Sequence, residues 1–393
     1  MVKVLECEKC GYKEYLIAEQ KSYDRCPACK SIVIGQELNE ISSALDEIIA
    51  IAKENFSFGN IQTDKYSVIF EARELFKKPE EIISAFEKIN FYPFIRKDKE
   101  KLYVLLRSAP PKKEFAYRKN LILFFLTIIS TTIAGYLMSL PHVQNGFMSN
   151  PWIGAVSFSF SIMAILGTHE MGHFLTARKN GVDATLPYFI PSPFMLGTMG
   201  AVINIRSFIP TKRSAIELGL SGPLAGILVA IPFTIVGILI SPIVPITLFG
   251  EGSIFLGEPI LFKLIAGSLV KVTEGNSLYL HPVAFAGWTG IFVTMLNLIP
   301  VGQLDGGHVA RAVLGPKYHR YLSFIVSMSL FFLGLVSWAG WSLWGIIGLY
   351  LSYRGHPGSM DEITPIDGKH WIMVGIAILL FVLTAMITPL KLA

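Results

Sequence analysis

The chain has 393 residues, of which 52% are hydrophobic and only 16% are charged. Ordinary soluble domains carry about 25% charged residues, so this composition places the chain outside the soluble range and indicates a membrane protein. Residues 1–115 hold 19 basic and 19 acidic residues, and the rest of the chain holds 15 and 10, which accounts for the whole net charge of +5. A neutral, charge-dense head therefore precedes an apolar body, and it lacks the basic footprint of a nucleic-acid-binding domain.

The four cysteines form two Cys-x2-Cys pairs, Cys7 with Cys10 and Cys26 with Cys29. This spacing is typical of a structural zinc site with four thiolates, and it predicts a zinc ribbon over residues 1–36. A ribbon this short buries too little apolar surface to fold without its metal. The first residues lack the apolar segment of a secretory signal peptide, so we expect the N-terminal domains in the cytosol, where thiols stay reduced.

A connecting helix and a small soluble domain follow the ribbon. Residues 37–56 carry apolar side chains on one helical face. This pattern predicts either a helix packed on its own domain or the seam of a dimer, and it does not decide whether the chain forms an oligomer. Residues 57–107 show strand, helix and hairpin patterns and predict a small α+β module. Residues 108–118 contain Pro110 and Pro111 and are expected to be a linker.

Residues 119–393 are expected to form a polytopic α-helical membrane domain with about six or seven spans. The predicted spans are 119–140, 151–176, 214–240, 281–300, 320–338, 340–353 and 369–388. Residues 259–272 are too short and too charged for a span and predict an interfacial or re-entrant helix. With a cytosolic N-terminus, most basic residues of this domain fall on the cytosolic side, as the positive-inside rule requires.

The segment "HEMGH" places His169, Glu170 and His173 in an apolar span, where ionisable groups are costly unless they have partners. Two histidines four residues apart on a helix present both imidazoles to one zinc ion. The adjacent glutamate lies about 100° round the helix, which suits a general base rather than a ligand. A third ligand must come from elsewhere, and the motif "QLDGGH" offers Asp305 or His308; spacing alone does not choose between them.

The segment "GTMGAVINIR" is β-branched and follows the helix-breaking "PYFIPSPF". It predicts a re-entrant strand-like segment whose free edge could pair with an extended substrate, and the alternative is a cytosolic hairpin packed on the surface. The small residues of "SGPLAG", residues 221–226, indicate close helix packing.

Together, "HEMGH" and "NLIPVGQLDG" resemble the paired motifs of the site-2 protease family of intramembrane zinc metalloproteases, with "GTMGAVI" and "GPLAG" in the expected order between them. The resemblance covers roughly residues 115–353, and the absence of a long insertion is typical of the archaeal, cyanobacterial and plastid branch without a PDZ domain. It implies that His169, His173 and Asp305 bind catalytic zinc and that Glu170 is the general base. It also implies that Asn297 supports the substrate near the metal.

From these features we expect two zinc ions, one catalytic and one structural, and hydrolysis of peptide bonds within or beside transmembrane segments of membrane-tethered substrates. The expected location is the cell membrane of a prokaryote, or an organelle membrane, with the N-terminal domains in the cytosol. The alternative is a membrane metal-binding protein or metal transporter without hydrolysis, which would not require a glutamate beside His169 that is not a ligand.

Overall fold

The computed structural model describes residues 2–6, 13–17, 41–64, 67–98, 100–108, 117–250 and 252–392. The helices in these ranges are α1 Ile41–Asn55, α2 Pro79–Glu87, α3 Tyr117–Gln144, α4 Pro151–Lys179, α5 Lys212–Leu239, α6 Ile260–Leu269, α7 Pro282–Leu298, α8 Asp305–Val336, α9 Gly340–Arg354 and α10 Gly368–Thr384. The strands are β1 Val2–Glu6, β2 Lys13–Ile17, β3 Phe56–Asp64, β4 Ser67–Leu75, β5 Phe91–Asp98, β6 Lys101–Ser108, β7 Tyr188–Pro191, β8 Thr198–Val202, β9 Ile209–Thr211, β10 Ile243–Pro245, β11 Ile254–Leu256, β12 Asn276–Leu278, β13 Ser359–Asp361 and β14 Leu390–Leu392.

At the N-terminus, β1 and β2 form an antiparallel pair. The four cysteines lie outside the described residues, so the zinc ribbon and its structural zinc stay predictions. Helix α1 falls within the expected connecting helix, and its Ile48 and Ala52 are buried in the core of the following module. This described part of α1 therefore packs on its own domain.

The soluble module, residues 56–108, is built on a sheet with the strand order β3-β4-β6-β5-β13-β9. Helix α2 begins with Pro79 in its first turn and buries Ile82 and Phe86 against the sheet, where they meet Phe56 and Phe70 of the strands. Strands β9 and β13 belong to the later, largely helical part of the chain, and they extend the module's sheet through parallel pairing. The module is thus joined to the helical domain by a shared sheet as well as by the linker.

Four of the described helices, α3, α4, α5 and α8, are long and apolar enough to cross a membrane. They fit a polytopic membrane protein, and their outward side chains agree, since large residues such as Ile122, Phe160 and Leu228 are more than half exposed. Helices α7 and α10 are apolar but have 17 residues each, so each is about 25 Å long. The expected total of six or seven spans therefore stays a prediction beyond these four.

The predicted fifth span, residues 320–338, lies mostly within helix α8. Helix α8 begins at Asp305 and continues to Val336, with a break at Gly315, whose φ is 74°. Pro316 follows the break. Together, Gly315 and Pro316 make the sequence look like the end of one helix followed by the start of another. The predicted interfacial segment, residues 259–272, contains helix α6.

The centre of the helical domain is the packing of α4 against α3, α5 and α7. Small residues allow the close approach: an added side chain at Gly290 of α7 would meet Ile165 of α4 and Ala230 of α5. The start of helix α4 is fixed by its N-cap. The Asn150 side chain accepts a hydrogen bond from the Trp152 amide, and Pro151 occupies the first helical position.

Strands β7 and β8 form an antiparallel hairpin between α4 and α5. The pairing continues beyond the hairpin, where the amide of Thr185 donates to the carbonyl of Asn204 and that of Arg206 donates to the carbonyl of Asp183. Residues 198–206 are therefore extended and paired along one edge, as "GTMGAVINIR" predicts for a strand. A re-entrant position of this hairpin in a membrane stays a prediction.

Candidate active site

Three of the sequence-predicted ligands meet at one point. His169 and His173 lie one turn apart on α4, and their Nε2 atoms are 3.1 Å from each other. Asp305, the first residue of α8, brings its Oδ2 within 3.3 Å of His169 Nε2 and 3.2 Å of His173 Nε2. Among the described residues, these three form the one group of histidine, cysteine and acidic side chains with metal-ligand spacing.

The hydrogen bonds around His173 show what this group can bind. Its Nδ1 lies 2.9 Å from the carbonyl oxygen of Leu218, so Nδ1 carries the hydrogen and Nε2 presents a lone pair to Asp305 and His169. A carboxylate oxygen and ring nitrogens at 3.1 to 3.3 Å repel one another unless a proton or cation lies between them. Tetrahedral zinc with bonds of about 2.0 Å sets neighbouring ligand atoms about 3.3 Å apart, so the residues fit zinc.

His308, the alternative third ligand, lies apart from the group. Its Nδ1 is 2.9 Å from Nε2 of His356, in the loop after α9. The Nδ1 of His356 accepts a hydrogen bond from the amide of Gly358, so its Nε2 carries the hydrogen and donates to His308. Burial lowers the pKa of His356 below its ordinary value, which keeps this ring neutral.

Glu170 follows the first histidine directly and is 8% exposed. Its carboxylate faces the backbone amide of Ile203, immediately after β8, which favours the charged form. Asn297, near the end of α7, places its Nδ2 at 3.2 Å from His169 Nε2. The histidine pair and Asp305 are thus flanked by an acidic group and by a carboxamide, and the extended segment 198–206 passes the acidic group.

The glycines of helix α5 lie against the histidine pair and Asp305. From the sequence, the small residues of this helix indicate only close helix packing. A Cβ added at Gly222 would overlap the His173 ring, and one at Gly226 would lie 3.1 Å from His169 Nδ1. A Cβ at Gly219 would lie 2.5 Å from the carbonyl oxygen of Asp305. The spacing of three and four residues puts these glycines on one helical face, and that periodicity is the signal that could have found them.

We expect Gly222→Ala to lose most of its catalytic zinc, because the new methyl group displaces the His173 ring from Asp305. The measurement is zinc content and chelator competition on folded protein. Gly375→Ala is the matched control: Gly375 lies within α10, and a Cβ there meets no atom within 4 Å. Equal zinc affinity in the two variants would contradict the assigned role of α5.

Comparison with known proteins gives one family match. A model of peptidase family M50 matches residues 157–336, a range that contains all five candidate residues of the site. Over this range the chain is similar to the site-2 protease family. The match omits the N-terminal 156 residues, so the soluble module lies outside the matched range.

This chain is similar to proteins that carry zinc metalloprotease names. It is 30% identical over 225 residues to the probable chloroplastic zinc metalloprotease EGY2 of Oryza sativa subsp. indica, covering 56% of this chain and 40% of the relative. It is 29% identical over 302 residues to the probable chloroplastic zinc metalloprotease EGY1 of Arabidopsis thaliana, covering 70% and 54%. The chain thus spans about half the length of the curated relatives it matches, and no solved structure matches it.

Proposed function

We propose that this chain is an intramembrane zinc metalloprotease that hydrolyses peptide bonds within or beside transmembrane segments of membrane-tethered substrates. The observation that carries the proposal is that Asp305 of α8 meets His169 and His173 beside Glu170 on α4, a long apolar helix. The names of the relatives support the zinc-dependent chemistry.

The residues divide the reaction among themselves. Zinc held by the two histidines and Asp305 would polarise the scissile carbonyl and make the attacking water more acidic. Glu170 takes a proton from that water as its oxygen bonds to the carbonyl carbon. It then passes the proton to the leaving amine as the carbon–nitrogen bond breaks. Asn297, whose Nδ2 lies 3.2 Å from His169 Nε2, would donate a hydrogen bond to the substrate oxygen beside the metal.

The extended segment 198–206 is the proposed docking strand for the substrate. Its pairing along one edge leaves the other edge without a partner strand in the described part of the chain, and the amide of Ile203 turns to the Glu170 side. A substrate helix must unwind to expose a peptide bond, and an unwound segment can satisfy its backbone groups by pairing with this edge. The docked segment would then pass Glu170.

The alternative, metal binding or transport without hydrolysis, does not account for Glu170. That side chain is buried next to the three ligands but is not one of them. A buried carboxylate is costly in an apolar setting, and proton transfer in hydrolysis gives it a role.

For its place in the cell, we propose a multi-pass membrane of a prokaryote or an organelle, with the N-terminal domains on the cytosolic or equivalent side. The chloroplastic relatives are compatible with an organelle membrane.

We propose that the predicted zinc ribbon filters or docks substrates. Deleting residues 1–36 and comparing several reporters tests this role, which unchanged selectivity would contradict.

The direct test of the proposed function is metal-dependent cleavage. Purified protein in detergent is incubated with a tagged reporter that has one transmembrane segment, before and after chelation and after zinc is added back. We expect two fragments, none after chelation, and fragments again with zinc. Cleavage that persists without zinc would contradict the proposal.

A further inference from the structure

The segment that carries Asp305 is held separately from the rest of its helix. The non-helical backbone at Gly315 divides α8, so residues 305–314 form a short segment of their own. At its start, Gly306 packs so closely on the end of α7 that an added Cβ would lie 2.9 Å from the carbonyl oxygen of Ile299. Tight packing of this kind sets the distance of the segment from α7, and side-chain contacts must fix its rotation.

Arg311 makes the main charged contact of this segment. Its side chain is 4% exposed, and its Nη2 forms a very short ion pair with Oε1 of Glu362. The same Glu362 oxygen lies 3.6 Å from Nη2 of Arg96, which belongs to strand β5 of the soluble module. Glu362 therefore joins two arginines, one on the segment of a zinc ligand and the other on the module.

Residues 355–363, which we call the clasp, make further contacts with the Asp305 segment. Gln303, two residues before the segment, donates to the carbonyl of Gly355, and His356 donates to His308, one turn after Asp305. The backbone at Gly358 has a φ of 78° and folds so tightly on the ion pair that an added Cβ would lie 2.6 Å from Arg311 Nη2. The clasp thus contacts the segment with backbone, imidazole and carboxylate groups.

On its other side the clasp is part of the soluble module. Its strand β13 pairs with β5 at Asp361 and Ile95, and the Glu362 amide donates to the carbonyl of Ile95. Met360 is buried against Phe94 and Ile83 of the module. Arg96 also donates from Nη2 to the carbonyl oxygen of Pro357 at 2.8 Å. The same residues therefore belong to the module's sheet and to the surroundings of the zinc ligand.

We propose that Glu362 and Arg96 are positioning residues for the zinc ligand Asp305, and that the soluble module sets the geometry of the metal site through the clasp. Neither residue touches substrate or metal. Glu362 orients Arg311 and thereby the short segment, and Arg96 holds Glu362 and the clasp in place. The expected effect on cleavage rests on the proposed function, but the expected effect on metal binding does not.

The physical reason is the cost of an unpaired buried charge. Without Glu362, Arg311 would be a nearly inaccessible guanidinium without its carboxylate, and the segment would have to shift to solvate it. Arg96 is 36% exposed, so its loss leaves no buried unpaired cation and the fold tolerates it better. Partners that orient a metal ligand typically contribute about 10- to 100-fold to metal affinity. The shift of the segment would reach Asp305 directly.

The test uses the full chain and reads the metal itself. We expect Arg96→Ala to weaken zinc binding at the catalytic site roughly 10-fold in a chelator competition, and Glu362→Gln to weaken it more. Arg96→Lys, which keeps the charge, should recover part of the affinity. Cobalt in place of zinc should show altered absorption bands from this site, and bands from cobalt bound by the predicted four-cysteine site should be the same in every variant.

Lys101→Ala is the matched control, because Lys101 forms a 2.6 Å ion pair with Glu71 within the module and away from the clasp. It should leave metal affinity and cobalt absorption unchanged. If Arg96→Ala also leaves both unchanged, the clasp is only structural and the inference is wrong. If wild type binds zinc but cuts no reporter, the proposed function fails, and the affinity comparison still decides the inference. If Glu362→Gln does not fold, Arg96→Ala alone decides it.

Discussion

Glu170→Gln should lose peptide hydrolysis and keep its catalytic zinc. The substitution retains the size of the side chain and its contact with the Ile203 amide, but an amide nitrogen or oxygen cannot take a proton from water at neutral pH. Because general acid–base catalysis contributes about 10²- to 10⁴-fold, we expect a loss of cleavage rate in that range. Zinc content is expected to equal that of wild type, since Glu170 is not in the ligand group.

The measurement is initial cleavage rate of the single-span reporter together with zinc per chain. Glu217→Gln is the control, because Glu217 is a carboxylate of α5 that pairs with Lys179 and Lys369, away from the three ligands. It should cleave at a rate within a few-fold of wild type. If Glu170→Gln cuts as fast as Glu217→Gln, Glu170 is not the general base.

Asp305→Ala should lose the catalytic zinc itself. Two imidazoles remain, and catalytic zinc in proteins takes three protein ligands. Removing a ligand should weaken binding by more than the roughly 10- to 100-fold that follows loss of an outer partner. Cleavage should fall to background, because water activation and carbonyl polarisation both depend on the metal.

Zinc per chain and cleavage are measured on the same folded sample. If the cysteines hold structural zinc as predicted, wild type should contain about two zinc ions per chain and Asp305→Ala about one. Asp183→Ala removes an exposed carboxylate and should keep both metals. Retention of two zinc ions by Asp305→Ala, with normal cleavage, would remove Asp305 from the ligand set.

The meeting of the two candidate histidine ligands could be predicted from the sequence, because helical periodicity is local. The spacing of His169 and His173 places both rings on one face whatever the rest of the chain does. Asp305 needed more than spacing, since His308 was an equal candidate on that ground. The geometry separates the two residues, because Asp305 meets the histidines and His308 turns to His356.

Other elements of the fold depend on contacts between distant segments, which no local sequence pattern predicts. Strands β9 and β13 have three residues each and carry no alternation long enough to predict a strand. Strand β3 was missed as well, since the irregular register around Phe58 and Ile61 breaks its period of two. The ion pairs of Glu362 join residues 96, 311 and 362, and no single-sequence pattern links positions so far apart.

The shared sheet changes the interpretation of the N-terminal half. Composition alone suggests a separate soluble head on a linker, but β5 continues through β13 to β9, and β9 leads directly into α5. Helix α5 carries the glycines that cover the candidate ligands, and the clasp contacts the segment of Asp305 through the pair of Glu362 and Arg311. The module is therefore connected through β13 and the clasp to two of the elements that form the candidate metal site, which gives it a structural route to the chemistry.

The most direct test of the proposed intramembrane proteolysis is the position of the cut. A single-span reporter and the purified chain are reconstituted in lipid vesicles, and the fragments are identified by mass spectrometry. We predict a new terminus within the reporter's transmembrane segment or at its border, absent after chelation, restored by zinc and absent with Glu170→Gln. A cut confined to the soluble part of the reporter, or one that chelation leaves unchanged, would contradict intramembrane zinc proteolysis.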